Sequence, residues 1–153
     1  MKIFKIIIWV LLGLFILIQF FPVTYPETIE LNENDLVNSN TISKDVELIL
    51  KTSCYDCHSN ETRYPWYSYV APIKWLIIRD IKQGRGDLNF SDWSTLKARD
   101  KIKLLDKIAE EVDEGNMPMP IYTVTHRNAS LDEERREILV EWTDQMMNDI
   151  LGE

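Results

Sequence analysis

Cysteine and histidine are scarce in this 153-residue chain, which has two of each. Two thiols exclude a framework of several disulfides, and a four-ligand zinc site would need both cysteines and both histidines to converge. The five glycines and six prolines exclude collagen-like or low-complexity character. Positive charge is also short: 17 basic side chains face 25 acidic ones, for a net charge of -8. The clustered positive field that phosphate backbones require is missing, so nucleic acid is not expected as a partner. The length excludes a multidomain enzyme and suits one small domain with an appendage. No Ser-His-Asp set, phosphate-binding glycine loop or carboxylate cluster can be argued, so no catalytic residue is assigned.

Charge is absent altogether from Ile6 through Pro26, and Ile6 to Phe21 is apolar except for Gln19. Sixteen residues of helix rise about 24 Å, slightly less than a bilayer core of roughly 30 Å, and flanking lysines can snorkel across the difference. Residues 20–25 offer no pair of small side chains for signal cleavage, so an uncleaved signal anchor over residues 1–22 is expected. Lys2 and Lys5 precede the span, whereas Glu27, Glu30, Glu33 and Asp35 follow it. This bias leaves the N-terminus in the cytoplasm and the remainder outside, as a single-pass protein of the cytoplasmic membrane with its bulk on the periplasmic side.

Residues 23–43 are polar, asparagine-rich and without period, and read as a flexible extracytoplasmic tether. The remainder, 44–153, reads as one all-α domain of four or five helices. Ser43 is a cap for a helix carrying Val46, Ile49 and Leu50. A second helix is expected from about Ala71 to Gln83, ended by Gly84 and Gly86. Ser91 caps a short helical piece through Trp93. A longer helix with Leu104, Leu105, Ile108 and Val112 on one side runs to about Glu114, where Gly115 ends it. Ser130 with Glu133 forms a capping-box pattern ahead of a last helix striped by Leu131, Ile138, Leu139, Trp142, Met146 and Ile150.

Both cysteines and one histidine fall in a single pentapeptide, Cys54-Tyr55-Asp56-Cys57-His58. This is the pattern of covalent haem attachment. On a helical turn, residues three and four apart share a face. Two thiols can thus form thioethers with the haem vinyl groups while His58 serves as the proximal iron ligand. A thioredoxin-like dithiol leaves His58 unexplained, a disulfide closing so short a loop stabilises little, and a zinc site of Cys54, Cys57, His58 and His126 is awkward beside adjacent ligands. One covalent haem c is therefore the expected cofactor.

The distal ligand is sought in Met117-Pro118-Met119-Pro120. Alternating prolines favour an extended backbone on which side chains two apart diverge, so one of Met117 and Met119 ligates and the other packs. His126 is the rival, and an open site the third possibility. Arg79, Lys82 and Arg85 are candidates to neutralise the haem propionates, with Trp66, Trp75 or Trp93 donating indole N–H bonds. Ordinary surface pairing and core packing is the competing reading for each of them. The aromatic run Tyr64 to Tyr69 as a group is expected to line the haem.

These motifs together, with the Gly84-Arg85-Gly86 turn, Asn89-Phe90-Ser91-Asp92-Trp93, Tyr122 and His126, resemble the small haem-binding domain family related to cytochrome c. The resemblance spans roughly Val46 to Met147. It implies one covalent haem, a compact helical fold and a membrane-tethered extracytoplasmic placement, and by analogy it carries the distal ligand to Met117. The role that follows is a non-catalytic electron carrier whose partners are redox proteins in the membrane or periplasm. A haem-based sensor or ligand-binding module with a labile distal site is the alternative.

Overall fold

The computed structural model describes residues 1–30 and 32–152, and among them the chain is helical with no strand. α1 (Lys2–Gln19) buries none of its residues and is long and apolar enough to cross a membrane. At 1.5 Å per residue its 18 residues span about 27 Å.

The body starts earlier than composition suggests. The described residues of 23–43, expected as a tether, lie packed on it. Tyr25 donates to Ser68 O at 2.9 Å, Tyr64 donates to Pro26 O at 3.0 Å, and the Ile29 N–H bonds Asn60 O at 2.8 Å. α2 (Leu36–Ser39) follows, capped by the Asp35 side chain, which accepts from Val37 N. Leu36 is fully buried in the core. The contacts of this strap reach residues tens of positions away, and a sequence without a period gives no sign of them.

Ser43 caps α3 (Lys44–Ser53) as expected, accepting from Val46 N at 3.2 Å. Val46, Ile49 and Leu50 turn inward, as their spacing requires. α4 (Tyr55–His58) is a single turn, and a 3-10 turn over Trp66–Tyr69 sits between Pro65 and Pro72. α5 (Ile73–Asp87) runs straight through Gly84 and Gly86 instead of ending there. A second 3-10 stretch, Phe90–Thr95, is capped by Asn89 and not by Ser91. α6 (Ala98–Asp113) ends at Gly115, whose φ of 73° only glycine adopts without strain. α7 (Pro120–Thr125) is short. The cap of α8 (Glu133–Gly152) is Asp132, which accepts from Arg135 N at 3.0 Å, two residues beyond the expected Ser130.

α6 and α8 pack along each other, with Leu105, Val112, Leu139 and Trp142 buried between them and the core of α3. Met146 and Met147 pack half-buried against this core. Next to it lies Asp35, a carboxyl with 0% exposure. It accepts from Tyr55 Oη at 2.7 Å, Val37 N at 3.0 Å and Ser91 Oγ at 3.3 Å. Burial raises its pKa, against the opposing pull of those three bonds and of Lys51. A carboxyl with a raised folded pKa binds its proton more tightly in the folded chain. Its contribution to stability is therefore complete below its unfolded pKa, near 3.9, and is lost as pH rises through the folded value. Asp35→Asn keeps the cap and the Tyr55 bond but cannot titrate. Denaturant midpoints measured between pH 4 and 7 should rise in the variant relative to the parent as pH increases. Equal pH slopes in the two proteins would refute the assignment.

Candidate functional site

Cys54 is the joint between α3 and α4. Its N–H bonds Leu50 O at 2.9 Å, and its carbonyl accepts from Cys57 N at 3.2 Å and His58 N at 2.9 Å. One turn thus carries Cys54, Cys57 and His58, with neither thiol in a disulfide. Burial pushes the Cys54 thiol up to about 12 and the Cys57 thiol up to about 11. Thiols that stay protonated at neutral pH are poor nucleophiles, opposite to the activated thiolate of a dithiol redox enzyme.

α4 rests on α5 through a very close backbone approach. A Cβ at Gly84 would stand 2.7 Å from the Cys57 carbonyl oxygen and 3.3 Å from the Cys57 Cβ. That approach accounts for a helical glycine that costs about 1 kcal/mol relative to alanine. It also brings two carbonyls to His58, whose Nδ1 lies 3.0 Å from Gly84 O and 3.2 Å from Leu88 O. Both partners can only accept, so Nδ1 carries the ring hydrogen and Nε2 keeps its lone pair. Burial lowers the pKa of His58, only partly offset by the two carbonyls. The ring is therefore held neutral and in one tautomer, as metal-ligating histidines are.

His58 and Cys54 line a cleft of about 270 Å³. The end of α5 supplies Gln83 and Asp87, and Leu88 and Phe90 follow. α6 contributes Leu104, Lys107, Ile108, Glu111 and Val112 to the lining, and Met117 and Pro118 follow. Met117 is placed by the way α6 ends. Gly115 N bonds Val112 O at 3.1 Å and Asn116 N bonds Glu111 O at 3.0 Å, which is the Schellman pattern. Met117 N also bonds Glu111 O at 3.0 Å, so the chain folds back over the last turn of α6. A larger cleft of about 610 Å³ between residues 39–43 and α8 contains no thiol or imidazole and carries none of this chemistry.

The structure brings Cys54, His58 and Met117 to one cleft and leaves other candidates outside it. Cys57 lies where α4 meets α5. Met119 is the residue before α7 and does not line the cleft. His126 is stacked on Tyr122 with ring centroids 4.1 Å apart, and its Nε2 is 3.3 Å from Tyr67 Oη. Tyr122 in turn donates to Asp56 Oδ2 at 2.7 Å, tying α7 to the outer side of the pentapeptide. The four zinc candidates are not assembled: among the described residues no group of three or more His, Cys, Asp or Glu is placed to hold a metal ion.

Trp66 is 78% exposed, and Arg79 pairs with Asp80 at 2.7 Å on the surface. Arg85 donates to Glu27 O and to Thr62 Oγ1, both at 2.9 Å, and so holds the strap. None of the three lines the cleft. The run Tyr64 to Tyr69 is not on the cleft either. Tyr64 and Tyr69 gather around Tyr25, and Tyr67 turns to His126. The cation on the cleft wall is Lys107, which sequence reasoning passed over although its spacing from Leu104 and Glu111 places it on the same face of α6.

A cleft lined by a neutral imidazole of fixed tautomer, a thioether and several apolar side chains offers the ligand types that haem iron takes. Over residues 13–145 the chain matches the family described as haem-binding domain. No curated protein and no solved structure matches it.

Proposed function

The chain belongs to the haem-binding domain family, and on that footing we propose that it is a membrane-tethered monohaem c-type cytochrome carrying electrons at the periplasmic face of the cytoplasmic membrane. The observation that carries this reading is that Cys54, His58 and Met117 line one cleft. Bound haem supplies a one-electron couple between ferric and ferrous iron.

The chain's own residues do the rest. Cys54 from the cleft and Cys57 from the adjoining α4–α5 junction would hold the two vinyl groups as thioethers. His58 offers Nε2 while Gly84 O and Leu88 O hold its Nδ1–H, which fixes the ring. Met117 offers its sulfur from a backbone pinned to Glu111 O. Leu88, Phe90, Leu104 and Ile108 exclude water, and Lys107, in place of Arg79 and Arg85, would neutralise a propionate. A carrier with protein ligands on both sides reorganises little on electron transfer. Its partners are redox proteins of the membrane or periplasm, and α1 supplies the membrane attachment.

The test is the absorption spectrum of the full chain made in cells competent for haem c maturation. A low-spin spectrum with sulfur character and no response to carbon monoxide supports the carrier. A high-spin or carbon monoxide-responsive spectrum would favour a sensor with a labile distal site, and absence of covalent haem would sink both. The double variant Cys54→Ser with Cys57→Ser should lose all haem that survives denaturation and acid extraction, whereas each single variant keeps one thioether and loses only part. Full retention in the double variant would refute the attachment sites.

A further inference from the structure

α5 is apolar on two sides, and only one of them has a partner among the described residues. Lys74, Ile78, Ile81 and Gly84 face the body, whereas Ile73, Trp75 and Leu76 are exposed, followed outward by Arg79 and Lys82. An isolated exposed leucine needs no explanation, but three large apolar side chains within one helical turn do. Their position gives the reason. Gln19, the last residue of α1, is clamped to the base of α5: its Oε1 accepts from Ala71 N at 2.8 Å and its Nε2 donates to Ala71 O at 3.1 Å. The Lys74 ammonium donates to Gln19 O at 3.0 Å and is buried in doing so. Phe20 and Phe21 lie exposed at the same junction.

From these contacts we infer that the outward face of the first turns of α5 docks in the interfacial layer of the same bilayer that α1 crosses. The inference rests on the proposed membrane span, whose end is bonded to this helix. Leu76 follows Ala71 by only five residues, so the exposed apolar turn stays next to the end of α1. Trp75 suits the boundary between headgroup and acyl chain, and Lys82 meets headgroup phosphates, Arg79 being paired with Asp80. The occupant is a lipid surface. Because Ile73 stands at one end of α5 and the cleft residues Gln83 and Asp87 at the other, docking would set the orientation of the cleft to the membrane. With the strap packed as well, the domain is held in place and does not swing on a free linker.

The test uses the full haem-loaded chain in vesicles of phosphatidylcholine and phosphatidylglycerol. A photoreactive benzoylphenylalanine replaces Leu76, or in separate variants Ile73, Leu14 within α1, or the exposed Asp144 on α8. Cross-linked products are read by mass spectrometry, and retained haem absorbance shows that each variant is folded. Lipid adducts at positions 73 and 76 comparable to those at 14, with none at 144, are the expected result. Adducts at 14 without adducts at 73 or 76 would overturn docking and leave the anchor standing. Protein adducts in place of lipid at 73 and 76 would overturn it in favour of a protein interface. Absence of lipid adducts even at 14 would remove the anchor reading and docking with it.

Discussion

Replacing Met117 by Ala is expected to convert a low-spin, carbon monoxide-insensitive spectrum into one that responds to carbon monoxide, and to lower the reduction potential. A thioether stabilises the ferrous state, so its loss favours the ferric form. The variant should still fold. The bonds that place residue 117 are made by backbone groups of Gly115, Asn116 and Met117 with Val112 and Glu111, and alanine keeps all of them. The side chain is half-buried, so its truncation costs less than the roughly 2–5 kcal/mol seen for a fully buried methionine. Met119→Ala and His126→Ala are the controls, since neither residue lines the cleft. An unchanged spectrum in Met117→Ala together with a changed one in His126→Ala would transfer the distal role to His126, against its placement between Tyr67 and Tyr122.

Gly84→Ala and Gly86→Ala should move stability in opposite directions, although both glycines lie in the last turns of α5. Alanine in a helix is ordinarily favoured over glycine by up to about 1 kcal/mol. At Gly86 an added Cβ meets nothing within 4 Å, so that gain should appear in part, reduced by closeness to the helix end. At Gly84 the Cβ would sit 2.7 Å from a backbone oxygen, which cannot move aside as a side-chain tip can. Overpacking of this kind costs about 1–3 kcal/mol and outweighs the propensity gain. Separating α4 from α5 would also draw the Gly84 and Leu88 carbonyls away from His58 Nδ1 and loosen the ring. Thermal unfolding of both variants, with the haem spectrum recorded alongside, checks the contrast. Stabilisation by Gly84→Ala would show that the approach of the two helices is not as tight as described.

Local chemistry was legible in the chain where it involves neighbours in sequence. Ser43 caps α3, Gly115 ends α6, and the apolar stripes of α3, α6 and α8 face inward, because caps and periodicity act over three or four residues. The same local logic failed at Gly84. A glycine near an expected helix end reads as a terminator, yet the reason for this one is Cys57, 27 positions earlier. Asp35 likewise looks, in sequence, like one more acid of a polar linker. Its burial depends on Tyr55 and Ser91, which only the fold brings to it. Arg85, basic in an acidic chain, is a sequence candidate for haem propionates, and it binds the strap instead.

The all-α class, the apolar span of α1 and the spacing of Cys54, Cys57 and His58 follow from composition and from contacts within a helical turn. Tertiary structure alone decided which methionine shares a cleft with His58, which ring nitrogen remains free, and where the polar segment before α3 lies. Those outcomes depend on pairs such as His58 with Gly84, Tyr25 with Ser68 and Gln19 with Ala71. They form only when long loops close, and nothing in a residue's immediate neighbours specifies its distant partner.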